Sequence, residues 1–266
     1  MIDRPTGRPF LDDPGPVLAF AHRGGAYHPE IVHLENTLAA FSHAVGLGYR
    51  YLETDVHVTS DGVLLAFHDT ILDRVTDVRG VLADMTYAEV QRAQIGGREA
   101  IPTLARLMES FPEVRFNIDL KAAGAVPALV ALIDEHQAWD RVLVGSFSRR
   151  SINDFRRLSR GRVATSAHPL EVVAYLLSPS ARLARRLTPG RPDALQIPHR
   201  RGPLTVTTRG VVRRAHAAGL HVHVWTIDDP AEMRALLERG VDGLMTDRTD
   251  ILRDVLREGG RWREPE

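Results

Sequence analysis

Residues 52–74 read LETDVHVTSDGVLLAFHDTILDR, and they begin as a strand that does not stay apolar. Leu52, Thr54, Val56 and Val58 alternate with Glu53, Asp55, His57 and Thr59, and a His68–Asp69 pair follows a short turn. Side chains two apart on a strand share a face, so Glu53, Asp55 and His57 are expected to point the same way. Two carboxylates and an imidazole in a row need a reason, and the surrounding chain supplies one.

Outward from this segment, apolar and β-branched runs recur with helical stretches between them. The strand-like runs are VLAFAHRG (17–24), YLETDVHVT (51–59), VRFNIDLK (114–121), RVLVGSF (141–147), VATSAH (163–168), ALQIP (194–198), HVHVWTID (221–228) and DGLMTD (242–247). Patterns with a period near 3.6 separate them, such as TLAAFSHAVGLG, VPALVALIDEHQ, SINDFRRLSR, TRGVVRRAHAAG and PAEMRALLERG. The last two end at Gly219 and Gly240, the expected helix stop before a strand. Strands alternating with helices imply a parallel sheet joined by crossovers, and eight such units predict a (β/α)8 TIM barrel. A doubly wound open sheet is less attractive, because no Gly-rich dinucleotide loop follows the first strand. Residues 60–110 are too long for a plain βα loop and read as a small insertion after strand two, beside the active site of a barrel. A single domain over 17–256 is expected, with a flexible arm at 1–16 and a loose tail at 257–266.

The bulk numbers suit a soluble globular chain: 266 residues, 44% hydrophobic and 26% charged. Lys+Arg and Asp+Glu balance at 34 each, which gives no pointer to nucleic acid or an anionic membrane. The absence of cysteine excludes disulfides, thiolate metal sites and a cysteine nucleophile. The polar, proline-rich start has no signal-peptide core, and no apolar run approaches the roughly 18–20 residues of a membrane span. A cytoplasmic location without stable membrane insertion is the expectation. Nothing in the pattern fixes an oligomeric state.

Polar residues gather at the ends of the predicted strands. Strand one finishes with His22, Arg23, Gly24 and Gly25, and strand three carries Asn117, Asp119 and Lys121 on one face. Strand seven carries His221, His223 and Trp225. Both faces of a parallel barrel strand are covered, so a charged stripe cannot simply face water. Buried carboxylates must be paired, hydrogen-bonded or metal-bound, and Glu53, Asp55 and Asp119 converge if strands two and three are neighbours. Oxygen-only ligation suits Ca²⁺ or Mg²⁺ better than zinc. The plainer alternative is an ion-pair network in which Lys121 and Arg23 neutralise the acids. His22 and His68 form the natural acid–base pair, and Arg23 offers a fork for a phosphate or carboxylate. Trp225 reads as core on composition, and His57, His221 and His223 as structural or supporting residues. No G-x-S-x-G elbow, H-E-x-x-H helix or Walker loop appears. The residues alone thus point to a metal-assisted phosphoryl-transfer or hydrolytic barrel.

The strings AHRGG, ENTLAAF and LETDVHVTSDGVLLAFHDTILDRVT resemble the glycerophosphodiester phosphodiesterase family. GVLADMTYAEV, IPTLARLM, FNIDLK, GSFSRRSI, VHVWTIDD and GVDGLMTD continue the likeness from about residue 18 to about 252. The most specific motifs are HRG, E-x-D followed by T-x-DG, and HD-x-x-L-x-R. The resemblance implies a (β/α)8 barrel with an insertion after strand two, and a divalent cation, Ca²⁺ or Mg²⁺ with Mn²⁺ as a further candidate, held by Glu53, Asp55 and Asp119. It casts His22 and His68 as the acid–base pair, with His22 taken as base and His68 as acid. It makes Arg23 and Lys121 the phosphate holders, sets Glu35 near the site, and puts Phe147 and Trp225 against the glycerol end of the substrate. The implied reaction cleaves a small-molecule glycerophosphodiester to glycerol 3-phosphate and an alcohol through a cyclic phosphate. Three departures stand out. Asp119 replaces the usual Glu and is one methylene shorter, Leu34 stands where Pro usually precedes E-N-T, and Arg248–Thr249 replace a frequent proline.

Residues 169–190, PLEVVAYLLSPSARLARRLTPG, exceed an ordinary barrel connection. An outer helix plus loop is the plainer reading. A lipid-facing surface is the alternative, and it would make the enzyme a lysophospholipase D. A catalytically silent phosphodiester-binding barrel is disfavoured by the joint presence of His22, His68, Glu53 and Asp55.

Overall fold

The computed structural model describes residues 6–12, 15 and 17–264. Eight parallel strands line a barrel: β1 (Leu18–His22), β2 (Tyr51–Val58), β3 (Arg115–Leu120), β4 (Val142–Gly145), β5 (Ala164–Thr165), β6 (Ala194–Pro198), β7 (His221–Trp225) and β8 (Gly243–Thr246). Their hydrogen-bonded order is β5-β4-β3-β2-β1-β8-β7-β6. A single parallel bridge between Ser166 and Ala194 joins the two ends. Each strand lies within a run expected from the sequence, and the TIM barrel is the fold found. Helices follow because Thr37, Ser148, Thr208 and Asp229 each accept a backbone N–H of the next helix's first turn. Such a cap is worth ~1 kcal/mol, enough to set where a helix starts.

The sheet register sorts the interior into layers. Phe20 lies opposite Tyr51, His22 opposite Glu53, and Asp55 opposite Asp119. Near the strand starts the interior is apolar, filled by Leu18, Phe20, Tyr51, Leu143, Ala164, Ala194 and Met245. One step higher, Gln196 Nε2 donates to Asn117 Oδ1 at 2.8 Å and meets His223 Nδ1 at 3.3 Å. Carboxylates and cations occupy the C-terminal mouth. Because a barrel covers the outer face with helices, Leu52 and Val56 of β2 pack outward into the main core while Glu53 and Asp55 must point in.

The described part of the N-terminal arm is not loose. Phe10 and Leu11 are buried and close the lower end of the barrel. Phe10 meets Tyr51 edge-on at 5.3 Å between centroids, and the Tyr51 hydroxyl donates to its carbonyl at 3.0 Å. Two large apolar side chains in a polar stretch gain far more by plugging an open barrel end than by staying in water. The tail likewise packs Trp262 on Tyr49 at 5.1 Å. Residues 1–5, 13, 14, 16, 265 and 266 of these two segments lie outside the described residues.

The insertion folds around its own small core of Leu65, Phe67, Leu72, Leu82, Val90, Ala93, Ile95 and Ile101. Thr59 donates to Asp61 Oδ1 at 2.6 Å, which tightens the turn that sends Leu64–Ala66 back antiparallel along β2. The unit is narrower than the expected 60–110. The helix Leu104–Ser110 is capped by Thr103 and buries Leu104, Leu107 and Met108 in the main barrel core.

Candidate active site

The mouth is organised first by the turn after β1. Arg23, Gly24 and Gly25 have φ of +50°, +86° and +91°, a left-handed run that only glycine tolerates repeatedly. A Cβ on Gly24 would lie 2.7 Å from Ala40 Cβ, and one on Gly25 would lie 2.7 Å from Thr249 Cγ2. The turn folds Arg23 over β2, where its backbone N–H reaches the Glu53 carbonyl at 3.1 Å and Oε2 at 3.2 Å.

From there an alternating chain of charges crosses the mouth. His68 Nδ1 lies 2.6 Å from Asp69 Oδ1, and Arg74 Nε donates to Asp69 Oδ2 at 2.6 Å. Arg74 also forks onto Glu35 at 2.7 and 2.8 Å, and Glu35 receives Arg23 Nη1 at 3.1 Å. Arg23 Nε stands 3.1 Å from Asp55, and Lys121 Nζ bridges Asp55 at 2.9 Å and Asp119 at 2.7 Å. Every site residue expected on β1, β2 and β3 is therefore brought together. His68 is carried in by the insertion and is tied into this chain through Asp69. His57, expected to be a structural or supporting residue, reaches the His68 carbonyl with Nε2 at 3.0 Å and so pins the loop that delivers His68.

Electrostatics follow from burial working against these partners. Burial would lower the His22 pKa, but Glu53 and Asp247 overcome it and carry it up to about 9. Asp247 Oδ1 is 2.8 Å from His22 Nδ1 and places the proton there, while Nε2 stands 3.8 Å from Glu53. Burial and the neighbouring Asp55 push the Glu53 carboxyl up. Burial would raise Asp55 too, but Lys121 and Arg23 hold it below the usual range. Burial and Asp55 raise Asp119 despite Lys121.

Among the described residues no group of three His, Asp or Glu side chains is gathered to hold a metal ion. The donor chemistry nonetheless fits a hard cation at one point. Glu53 is 4% exposed, and among the described residues no cationic side chain is in hydrogen-bond contact with it, unlike Asp55; its carboxylate accepts from the Arg23 backbone N–H. Two of the three expected ligands, Asp55 and Asp119, are instead spanned by Lys121, whose ammonium would compete with a divalent cation for the same oxygens.

Phe147 and Trp225 meet edge-on at 6.0 Å between centroids, and Lys121 Nζ sits 5.9 Å from the Phe147 ring. Phe147 is 64% exposed, while Trp225 is half-buried and packs against the barrel-interior cluster as expected, so the pair forms an apolar wall beside the cations that is rooted in the core at Trp225. His223, by contrast, is fully buried against Phe20, and its pKa is pushed down to about 3 by that burial.

Sequence reasoning missed several supporting residues. Asp247 orients His22, and its own backbone N–H donates to Asp228 Oδ1 at 2.8 Å. Asn36 donates to Asp55 Oδ2 at 3.3 Å and accepts from Thr54 at 2.8 Å. Asp69 and Arg74 complete the relay to Glu35. The signals were present in the TD that ends LMTD, the HD pair, the final Arg of HD-x-x-L-x-R and the Asn of ENT.

Residues 22–251 match the glycerophosphoryl diester phosphodiesterase family. The Mycobacterium tuberculosis protein named "Probable glycerophosphodiester phosphodiesterase 2" is 41% identical over 248 residues, covering 92% of each chain. The human protein named "Lysophospholipase D GDPD1" is 28% identical, covering 89% of this chain and 85% of its own. An Oleispira antarctica phosphodiesterase, solved with the product sn-glycerol-3-phosphate, superposes with a TM-score of 0.75 at 25% identity, over 90% of this chain and 96% of that one. The chain belongs to the glycerophosphoryl diester phosphodiesterase family and is an enzyme of that class.

Proposed function

We propose that the enzyme hydrolyses glycerophosphodiesters to sn-glycerol 3-phosphate and an alcohol, by attack of the substrate's own 2-hydroxyl on phosphorus. The observation that carries this reading is the pairing of two imidazoles, each with Nδ1 tied to a carboxylate, around a cluster of half-buried cations. Tying Nδ1 leaves Nε2 of both His22 and His68 as the proton-handling atom. The product complex of the Oleispira antarctica enzyme supports a glycerol phosphate as the ligand class.

Arg23 and Lys121 bind the non-bridging phosphate oxygens, and the Phe147–Trp225 wall takes the carbon face of the glycerol. His22 Nε2 removes the 2-hydroxyl proton as the new O–P bond forms. His68 Nε2 gives its proton to the departing alkoxide as the old P–O bond breaks. Water then opens the cyclic phosphate with the two proton transfers reversed, which restores both histidines. The base role for His22 requires it neutral. Its raised pKa reflects Glu53 first and Asp247 second, so neutralising the Glu53 charge would lower it. Glu53 and Asp55, with Asp119, are the residues that would hold a divalent cation, which would supply charge stabilisation to the phosphoryl oxygens. Every other function is performed by side chains already in place.

The test is turnover of glycerophosphocholine and lysophosphatidylcholine by the purified protein, with and without Ca²⁺, Mg²⁺ or Mn²⁺, following glycerol 3-phosphate and choline. Glycerol 3-phosphate release that requires a divalent ion is expected. Turnover of neither substrate under any ion would sink the reading, and preference for the lysolipid would move the activity to the lysophospholipase D type.

A further inference from the structure

Residues 169–190 are the one unusual stretch of sequence that the catalytic argument leaves unused. They fold as two short helices, Pro169–Leu177 and Ala181–Leu187, laid against the outside of the barrel. The first helix turns Glu171 and Tyr175 inward. Glu171 is gripped by Arg156 at 2.8 and 2.9 Å, and the Tyr175 hydroxyl accepts from Thr188 at 3.2 Å. The second helix buries only Ala184. The hairpin is thus anchored by these polar contacts and by an inner apolar side, where Tyr175 and Ala184 join the main core and Val172, Leu176 and Ala181 pack against it.

Five other large apolar side chains face the other way. Leu170, Val173 and Leu177 are 60%, 45% and 78% exposed, at the i, i+3, i+7 spacing of one helical face. Leu183 and Leu187 repeat this at i, i+4 with 40% and 57% exposure. An amphipathic helix of a globular protein buries such a stripe, and an exposed one marks a contact surface. The accompanying charge has one sign. Arg182, Arg185 and Arg186 are exposed, and no ion pair holds any of them among the described residues. The only acid of the segment, Glu171, is already taken by Arg156. Beside the second helix lies a cavity of about 510 Å³ whose lining includes Arg185, Arg186, Arg191, Arg8, Tyr175 and Asp193. Arg8 is tied to Asp193 at 2.8 Å, which leaves three guanidiniums facing an open, polar cavity.

We propose that the 169–190 hairpin is a docking surface for an anionic phospholipid bilayer. The leucines enter the boundary between headgroups and acyl chains, and the arginines with their cavity receive the lipid phosphates. Charge complementarity selects this occupant, since a bilayer presents an apolar layer and an anionic layer at adjacent depths, matching leucines and unpaired arginines on one hairpin. No described helix is long and apolar enough to cross a membrane, so the contact is peripheral.

The experiment is co-sedimentation of the full chain with vesicles of phosphatidylcholine alone or mixed with phosphatidylglycerol, at low and at moderate salt. Binding to the mixed vesicles that weakens with salt is expected, with little binding to phosphatidylcholine. The L177E/L187E and R182E/R186E variants should each lower the partition on the order of tenfold or more. L204E, which charges another exposed leucine on the Arg200–Thr205 hairpin after β6, should bind as the wild type does. All variants should hydrolyse a soluble substrate at the wild-type rate, which also reports that they are folded. No binding to mixed vesicles at low salt would overturn the proposal. So would equal binding to both vesicle types, or binding that survives L177E/L187E but is lost in L204E. Vesicle binding is read without turnover, so its failure leaves the hydrolytic reading standing.

Discussion

Asp247 is the sharpest place to perturb the proton-handling machinery. Its carboxylate lies 2.8 Å from His22 Nδ1, while its backbone is fixed independently, donating to Asp228 and accepting from the Tyr27 N–H at 3.0 Å. Asp247→Asn keeps the shape and backbone anchors but removes the charge and leaves the imidazole orientation undefined. A positioned acid–base group contributes about 10²–10⁴-fold, so kcat should fall by at least about 10²-fold, near 2.7 kcal/mol, with KM little changed. Linkage gives a second readout, best taken in the chelated protein. His22 rises from 6.5 to about 9 because Glu53 and then Asp247 outweigh burial. At ~1.4 kcal/mol per unit this is an order of 3 kcal/mol shared between the two carboxylates. A raised folded-state pKa gives stability that is full below the unfolded value of 6.5 and is lost as pH rises through 9. The wild type should therefore exceed Asp247→Asn in stability most near pH 6, and the gap should narrow by pH 10. Urea unfolding across that range, with NMR titration of His22, measures both. Wild-type kcat together with an unchanged His22 titration would refute the reasoning.

Arg74→Met keeps the aliphatic stem but frees both Asp69 and Glu35, so kcat should drop about 10²-fold through misplacement of His68 and Arg23, and an unchanged rate would remove Arg74 from the relay. Phe10→Ala opens the lower end of the barrel and should cost about 3–5 kcal/mol in urea unfolding while leaving KM alone; a cost below ~0.5 kcal/mol would mean the arm is not part of the core. His223 should make the protein acid-sensitive. Its pKa is depressed by burial to about 3, so stability is full above 6.5 and falls by up to ~1.4 kcal/mol per unit as pH drops toward 3. His223→Gln should flatten that slope, and identical slopes would place the acid sensitivity elsewhere.

The barrel was legible because each strand is a short run of β-branched and apolar residues bounded by a helix of different period. Glu53, Asp55 and His57 exposed the inward face, since β2 has helices outside and only the interior can take charge. What could not be read were pairings set by closure. His22 and Asp247 are 225 residues apart and meet only because β1 and β8 are neighbours. The chain from Asp69 through Arg74 to Glu35 depends on how the insertion folds over the loop after β1. Residues 103–110 were drawn into the insertion although Thr103 is a helix cap and Leu104, Leu107 and Met108 carry the spacing of a barrel helix. The arm was expected loose from its polar composition, which hid Phe10 and Leu11. Lys121 was expected to hold phosphate; its contact with both Asp55 and Asp119, two of the three acids that would hold a cation, is visible only when β2 and β3 are set side by side.

The central claim is that the substrate's own 2-hydroxyl attacks phosphorus under the two histidines. Its most direct test is turnover of glycerophosphocholine beside its 2-deoxy analogue, with each divalent ion in turn and choline release as the common signal. The account predicts choline from glycerophosphocholine only, with the cyclic phosphate seen transiently by ³¹P NMR. Equal release from the 2-deoxy analogue would contradict it, because water would then be the nucleophile.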